Sequence, residues 1–202
     1  MAYFPFFVDI SDKKILIVGG GKVALRKAEK LLSFGADVAA VSPVFCKEFA
    51  ALEGVMLNCR EFTDSDIDGA FAVIAATDDR ALNAHIYRLC SGRNILVNTV
   101  DDPENCGFYF PALVQSGSVT VGISTGGTSP IFARYVKGKV AGTLDEKTLA
   151  AGEILAAYRL VIRQRFDTEE ERKLAAEKLL GRCTNGGELP SEDEINELLD
   201  SL

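Results

Sequence analysis

The 202-residue sequence concentrates its reactive groups where predicted strands end. Gly19-Gly20-Gly21-Lys22-Val23-Ala24 reads G-x-G-x-x-A between an apolar β-branched run and a helical repeat. In that spacing the first glycine permits a tight turn and the second lets the backbone approach a pyrophosphate. The small third residue allows close packing of helix on strand. Free N–H groups and the positive dipole end of the helix then favour a phosphate. Cofactor contacts are expected from Gly19, Gly20, Gly21, Lys22 and Val23, from Ser42, Pro43 and Val44, and from Thr77, Asp78 and Asn98. The acid that would bind an adenosine ribose is missing from the end of the second strand. Asp37 lies at that strand's start, and Ser42-Pro43-Val44 offers a hydroxyl without charge. Neither Lys47 nor Arg60 is placed as a 2′-phosphate clamp, so the loop points to NAD more than to NADP. A tight strand–helix turn with no ligand is the plain alternative.

Asp101 and Asp102 follow the fifth predicted strand, on the side of an open α/β sheet where ligands bind. Asp101 is the carboxylate best placed to face a substrate docked against a nicotinamide. Held near Val100 and Phe108, it is expected to lose hydration and rise in pKa toward a working base. Asp102 is expected to turn away toward Pro103 and solvent. The alternative is a pair of solvated or helix-capping carboxylates. His85, the one histidine, falls mid-helix without a Cys or His at ligand spacing. It reads as a surface or packing residue, and no metal site is expected. No Ser–His–Asp or Cys–His set can be assembled. Redox chemistry with a carboxylate base is what remains.

The elements that must position these groups follow from hydrophobic periodicity. Strands are expected at 13–18, 38–41, 55–59, 71–76 and 95–98, as short apolar runs buried on both faces. Helices are expected over 23–34, with Val23, Ala24, Ala28, Leu31 and Leu32 on one face and Gly35 as its stop, and over 80–91. A short helix is expected over 46–52. Alternation of this kind predicts an α/β fold with a Rossmann-like, doubly wound parallel sheet. After Asp101 the pattern changes to two strands, 108–114 and 119–124, joined at Gln115-Ser116-Gly117-Ser118 as a hairpin. Thr125-Gly126-Gly127-Thr128-Ser129-Pro130 is a glycine-rich loop, with Pro130 suited to a first helical turn. From about Leu144 the chain reads as one helix, whose apolar face is Leu149, Ile154, Leu155, Tyr158, Val161 and Ile162. Asn185-Gly186-Gly187 breaks it, and Ser191 with Glu194 caps a short final helix. Three segments are expected: 1–112 binding the dinucleotide, 113–144 forming a small α+β dimerisation and substrate loop, and 145–202 as a helical region.

Net charge is −7, which argues against nucleic acid as the main partner. Residues 1–104 carry net −4 and residues 145–202 net −6, but residues 105–144 hold no acid and three bases, Arg134, Lys137 and Lys139. An acid-free stretch in an acidic chain is a landing place for an anionic ligand, or a buried interface that excludes carboxylates. No apolar run reaches the roughly 18 residues a membrane span needs. The N-terminus lacks the features of a signal peptide. Five scattered cysteines without a C-x-x-C pair read as free buried thiols in a reducing cytoplasm.

Several ordered segments resemble precorrin-2 dehydrogenase, the dehydrogenase part of siroheme synthase. They are Tyr3-Phe4-Pro5, Ile17 to Ala24 with Arg26-Lys27, Ala75-Ala76-Thr77-Asp78-Asp79 and Asn98-x-Val100-Asp101. Phe110-Pro111-Ala112 and Ile123 to Pro130 complete the set. The likeness covers about residues 1–140, and the last loop is more specific than the glycine fingerprint. It implies NAD-dependent oxidation of precorrin-2 to sirohydrochlorin, with Asp101 on the family's catalytic aspartate. It also implies a homodimer joined by the segment after the sheet. Ser124, Thr125, Gly126, Gly127 and Arg134 are expected to meet the substrate's carboxylates, the loop's N–H groups forming an anion nest. Some members also insert Fe²⁺ into the product; the motif leaves this open. No methyltransferase part is expected within these 202 residues. Two other readings stand beside this one. An NAD-sensing regulatory domain would explain residues 1–104 but gives no use for the Ser124–Pro130 loop. A carbonyl reductase would want a Tyr–Lys pair: Tyr87 and Tyr109 lack a lysine at i+4, and Tyr135 alone has one there, Lys139.

Overall fold

The computed structural model describes residues 4–185 and 187–202. Tyr3 of the N-terminal motif and Gly186 of the expected helix break lie outside the described residues. The chain divides into two compact units, Phe4–Phe110 and Pro111–Leu202.

The first unit is a five-stranded parallel sheet in the order β3-β2-β1-β4-β5. Its elements are β1 (Lys14–Val18), α1 (Lys22–Leu32), β2 (Asp37–Val41), β3 (Val55–Asn58), β4 (Ala72–Ala75), α2 (Arg80–Gly92) and β5 (Leu96–Thr99). Side chains alternate between two cores because successive strand residues face opposite sides. Ile15, Ile17 and Ile74 pack with Ala24, Leu25, Ala28 and Leu31 of α1. Leu16, Val18, Val73 and Ala75 pack with Ile86 and Cys90 of α2. Strand order reverses between β1 and β4, which puts a crevice beyond their carboxyl ends. Gly35, at φ +76°, turns the chain out of α1. Val23 departs from its expected place on the apolar face of α1: it is exposed and lines the crevice instead.

The second unit holds a hairpin of β6 (Ala112–Ser116) and β7 (Val119–Ile123), followed by α3 (Pro130–Ala141), α4 (Glu146–Arg165), α5 (Glu169–Asn185) and α6 (Glu192–Asp200). The first hairpin strand starts later than expected. Gly107 and Phe108 are not in it because both their N–H groups donate to the Val97 carbonyl, at 2.7 and 3.4 Å. The turn is also tighter: Ser116 pairs with Val119, leaving only Gly117-Ser118 between the strands. Gly117 takes φ +54° at the first turn position, where glycine favours the type II′ geometry. The single long helix expected from Leu144 is broken after Arg165. The Glu171 carboxylate accepts the N–H groups of Asp167 and Thr168, and the Thr168 hydroxyl accepts that of Glu171. This reciprocal cap starts α5 and folds it back on α4 around Ala151, Ile162, Ala175, Leu179 and Cys183. The five cysteines are free; Cys59 is exposed, against the expectation that all are buried.

Candidate active site

Close packing dictates the glycine turn. A Cβ on Gly19, which holds φ +129°, would stand 2.2 Å from the Ala76 carbonyl oxygen. One on Gly20 would stand 2.0 Å from the Val44 carbonyl oxygen. Gly21 differs. At φ −83° it is the N-cap of α1, and a Cβ there would meet nothing within 4 Å. No side chain caps the helix start. The protein therefore presents an open, uncapped helix N-terminus beside Gly21, suited to a pyrophosphate. Ala24 is fully buried, as the fingerprint requires.

At the end of β2 the expected contacts find other work. Ser42 is buried, and its hydroxyl donates to the Val44 carbonyl at 2.8 Å. That bond shapes the 42–44 turn which packs on Gly20. Val44 is exposed, and Asp37 stands at the opposite end of the strand. Arg60 is bound by both carboxylate oxygens of Asp66, at 2.8 and 2.5 Å. This pairing holds Asp66 down at about 2. It engages the Arg60 guanidinium with Asp66 and not with a 2′-phosphate.

A cleft of about 440 Å³ opens at the ends of β4 and β5, lined by Val23, Ala76, Thr77, Asp78, Arg80, Asn83, Thr99, Val100, Asp101 and Asp102. Thr77 is locked by Asn83, whose Oδ1 lies 2.7 Å from the threonine hydroxyl and whose Nδ2 donates to the Thr77 carbonyl at 2.9 Å. Asp79 caps α2 by accepting from Ala81 and Leu82, which leaves Asp78 as the carboxylate of that turn on the cleft wall. Asp101 takes φ +57°, a strained backbone for a non-glycine residue. Its side chain is exposed. Phe108, expected to desolvate it, packs into the α1 side of the sheet instead. Asp102 is half-buried and lines the same cleft, rather than turning away; Asn105 donates to its carboxylate at 2.6 Å.

Asn98 does not line the cleft. Alternation along β5 puts Val97 in the core on the α2 side, so Asn98 points to the α1 side and Thr99 back toward the cleft. Asn98 accepts from Lys27 Nζ at 2.9 Å and donates to the Phe108 carbonyl at 2.9 Å. Thr99 is buried, and its hydroxyl has no hydrogen-bond partner among the described residues. Sequence reading passed over Thr99 and Lys27. Lys27 sits three residues after Ala24 and four before Leu31, so helical spacing already put it on the buried face. Burial pushes its ammonium down to about 8, and Lys30 and Arg26 add repulsion.

In the second unit, Gly126 and Gly127 take φ +62° and +83°. The loop they occupy is more closed than an anion nest. Gly126 N–H already donates to the Ser124 hydroxyl at 3.2 Å. Thr125 binds Ser129 and Thr128 through its hydroxyl and carbonyl. Ser129 caps α3 by accepting from Phe132 N–H, with Pro130 in its first turn. On α3, Arg134 and Lys139 are exposed and Lys137 half-buried, beside exposed Ile131, Phe132 and Tyr135.

Residues 6–112 match the family described as "Putative NAD(P)-binding". The chain is 39% identical to a siroheme synthase of Thioalkalivibrio sulfidiphilus, across 99% of this chain and 42% of that protein. It is 36% identical to a siroheme synthase of Actinobacillus succinogenes, across 89% of this chain and 38% of that protein. The chain thus spans less than half the length of these curated relatives. Its fold matches a solved structure of SirC, a precorrin-2 dehydrogenase, with a TM-score of 0.74 at 22% identity over 98% of both chains.

Proposed function

The chain belongs to the "Putative NAD(P)-binding" family, and on that premise we propose that it oxidises precorrin-2 to sirohydrochlorin with NAD⁺. The observation that carries the reading is one cleft holding Asp101, Thr77, Asp78 and Val23 beside an open glycine turn. The similarity to siroheme synthases over nearly the whole chain supplies the substrate class. The residues fit the cofactor. The uncapped N-terminus of α1 at Gly21 takes the pyrophosphate, and Val23 and Thr77 border the path to the strand ends. Ser42-Pro43-Val44 walls the adenosine side through its backbone. With Arg60 held by Asp66, NAD is preferred to NADP.

NAD⁺, when bound, is the acceptor of the hydride that the macrocycle loses. Asp101 takes the proton released in the same oxidation, so two electrons and two protons leave the substrate in balance. Its exposed position means that the docked macrocycle, and not the protein alone, removes water from the carboxylate. Asp102, held by Asn105, is a wall of the cleft. Arg134, Lys137 and Lys139 attract the acetate and propionate groups. The exposed apolar face of α3 joins a second copy across a two-fold axis. The product, sirohydrochlorin, is made in the cytoplasm.

Anaerobic mixing with precorrin-2 and NAD⁺ tests this. NADH and sirohydrochlorin are expected to appear in equal amounts. Tight NAD⁺ binding without any oxidation would favour a sensor domain instead.

A further inference from the structure

Lys27 occupies a place where a lysine is costly. It lies on the face of α1 that carries the buried Ala24, Ala28 and Leu31. Its Nζ stands 3.9 Å from the centre of the Phe110 ring. Among the described residues no carboxylate forms an ion pair with it. An unbranched apolar side chain would fill the same space without the cost of burying a charge. What the ammonium adds is direction. It carries three donors and no acceptor, so the Asn98 amide must turn its oxygen toward it. The Asn98 Nδ2 is then left to face the Phe108 carbonyl at 2.9 Å and the Cys106 sulfur at 3.6 Å.

Those contacts close the loop that carries Asp101. Cys106 Sγ accepts the Thr99 N–H at 3.2 Å, and its thiol faces the carbonyls of Thr99 at 3.2 Å and Asp102 at 3.3 Å. Asp101 stands at the head of this loop with φ +57°, a conformation its surroundings must impose. We propose that Lys27 is a positioning residue for Asp101: its ammonium fixes the Asn98 amide, and Asn98 and Cys106 fix the turn. This rests on the reading of Asp101 as the base.

The charged and titratable groups facing the ammonium are Arg26 and Lys30 on its own helix and Cys106 and Asp101 from the loop. Burial brings its pKa to about 8, so the orienting charge is present below that pH and lost above it. A neutral amine both donates and accepts, and no longer dictates which way the amide points. Charge-assisted bonds are about twice as strong as neutral ones, which corresponds to roughly five-fold looser closure of the turn.

Hydrogen exchange of the backbone amides of residues 99–108 reads this directly, at about pH 7 and about pH 9.5 with intrinsic rates corrected. In the wild-type chain, protection is expected to fall roughly five-fold between the two. Lys27→Arg, charged at both, is expected to keep protection at both; Lys27→Met is expected to be loose at both. The kcat for precorrin-2 should follow the same pattern, down about ten-fold in Lys27→Met, with NAD⁺ affinity unchanged. Equal protection in all three proteins at both pH values would overturn the proposal. If the wild-type chain does not oxidise precorrin-2, the functional reading fails while exchange still decides the role of Lys27. If Lys27→Met does not fold, the wild-type and Lys27→Arg profiles decide it between them.

Discussion

The two units of the chain solve the problem of burying apolar surface differently. Phe4–Phe110 covers both faces of its sheet with its own helices and keeps two cores, in which Ile17, Val38, Val73, Ile74 and Ile86 are fully buried. Pro111–Leu202 has one modest core among α4, α5 and α6, and leaves Ile131 80%, Phe132 56% and Tyr135 59% exposed along α3. The first unit carries the glycine turn and the strained Asp101 on its sheet, while its leading residues Phe4, Phe6 and Phe7 are exposed. A unit that exposes three large apolar side chains on one helix is built to be covered. The division of labour we propose is cofactor and chemistry in the first unit, and association and capture of the anionic substrate in the second.

The sharpest way to break that division is to disable the first unit without unfolding it. Gly21→Asp meets no protein atom at an ordinary φ, so the fold should persist. Its carboxylate would face the pyrophosphate, and like charges in contact cost several kcal/mol, roughly a hundred-fold or more in affinity. Calorimetric titration with NAD⁺ should show binding lost while thermal unfolding stays cooperative. Undiminished affinity would move the cofactor away from the glycine turn.

An intermediate effect belongs to α3. Phe132→Glu with Tyr135→Glu places two charges on the exposed apolar face and should turn a dimer into a monomer at micromolar concentration. Sedimentation velocity measures it, and NAD⁺ affinity should hardly move because the glycine turn and the cleft residues belong to the first unit. A wild-type monomer would remove the second copy from the account. The smallest change is expected from the cations. Arg134→Gln with Lys137→Gln should raise KM for precorrin-2 several-fold and flatten its dependence on salt, with kcat nearly unchanged. An unaltered KM at low ionic strength would return α3 to a purely associative role.

The same contrast explains what could be read from the sequence. Buried parallel strands leave dense apolar runs, and the glycine turn carries its own constraint, so β1 to β5 fall within a residue or two of expectation. Parity was harder. Alternation from Val97, which is buried on the α2 side, already sends Asn98 to the α1 side and Thr99 to the cleft wall, but the polar type of Asn98 outweighed that parity in the reading. The Phe108 segment looked like a strand by composition, but the Val97 carbonyl and Asn98 amide claim its backbone, and no local pattern announces that. In the tail the break was legible and overlooked: Thr168-x-x-Glu171 is a capping box within an otherwise helical run. The place of Asp101 on the cleft wall was legible from its position after β5; the packing of Phe108 on the α1 side, which leaves Asp101 exposed, was not.

The proton acceptor is the group on which oxidation depends most directly. Asp101→Asn and Asp102→Asn are compared for single-turnover oxidation of precorrin-2 with saturating NAD⁺. Both are close to isosteric, and both leave the glycine turn untouched. A positioned general base contributes roughly 10²–10⁴-fold, so Asp101→Asn should slow oxidation by about that factor with NAD⁺ affinity retained. Asp102→Asn, whose carboxylate already serves Asn105, should lose far less. Near wild-type oxidation by Asp101→Asn, with or without a loss in Asp102→Asn, would contradict the assignment of Asp101 as the base.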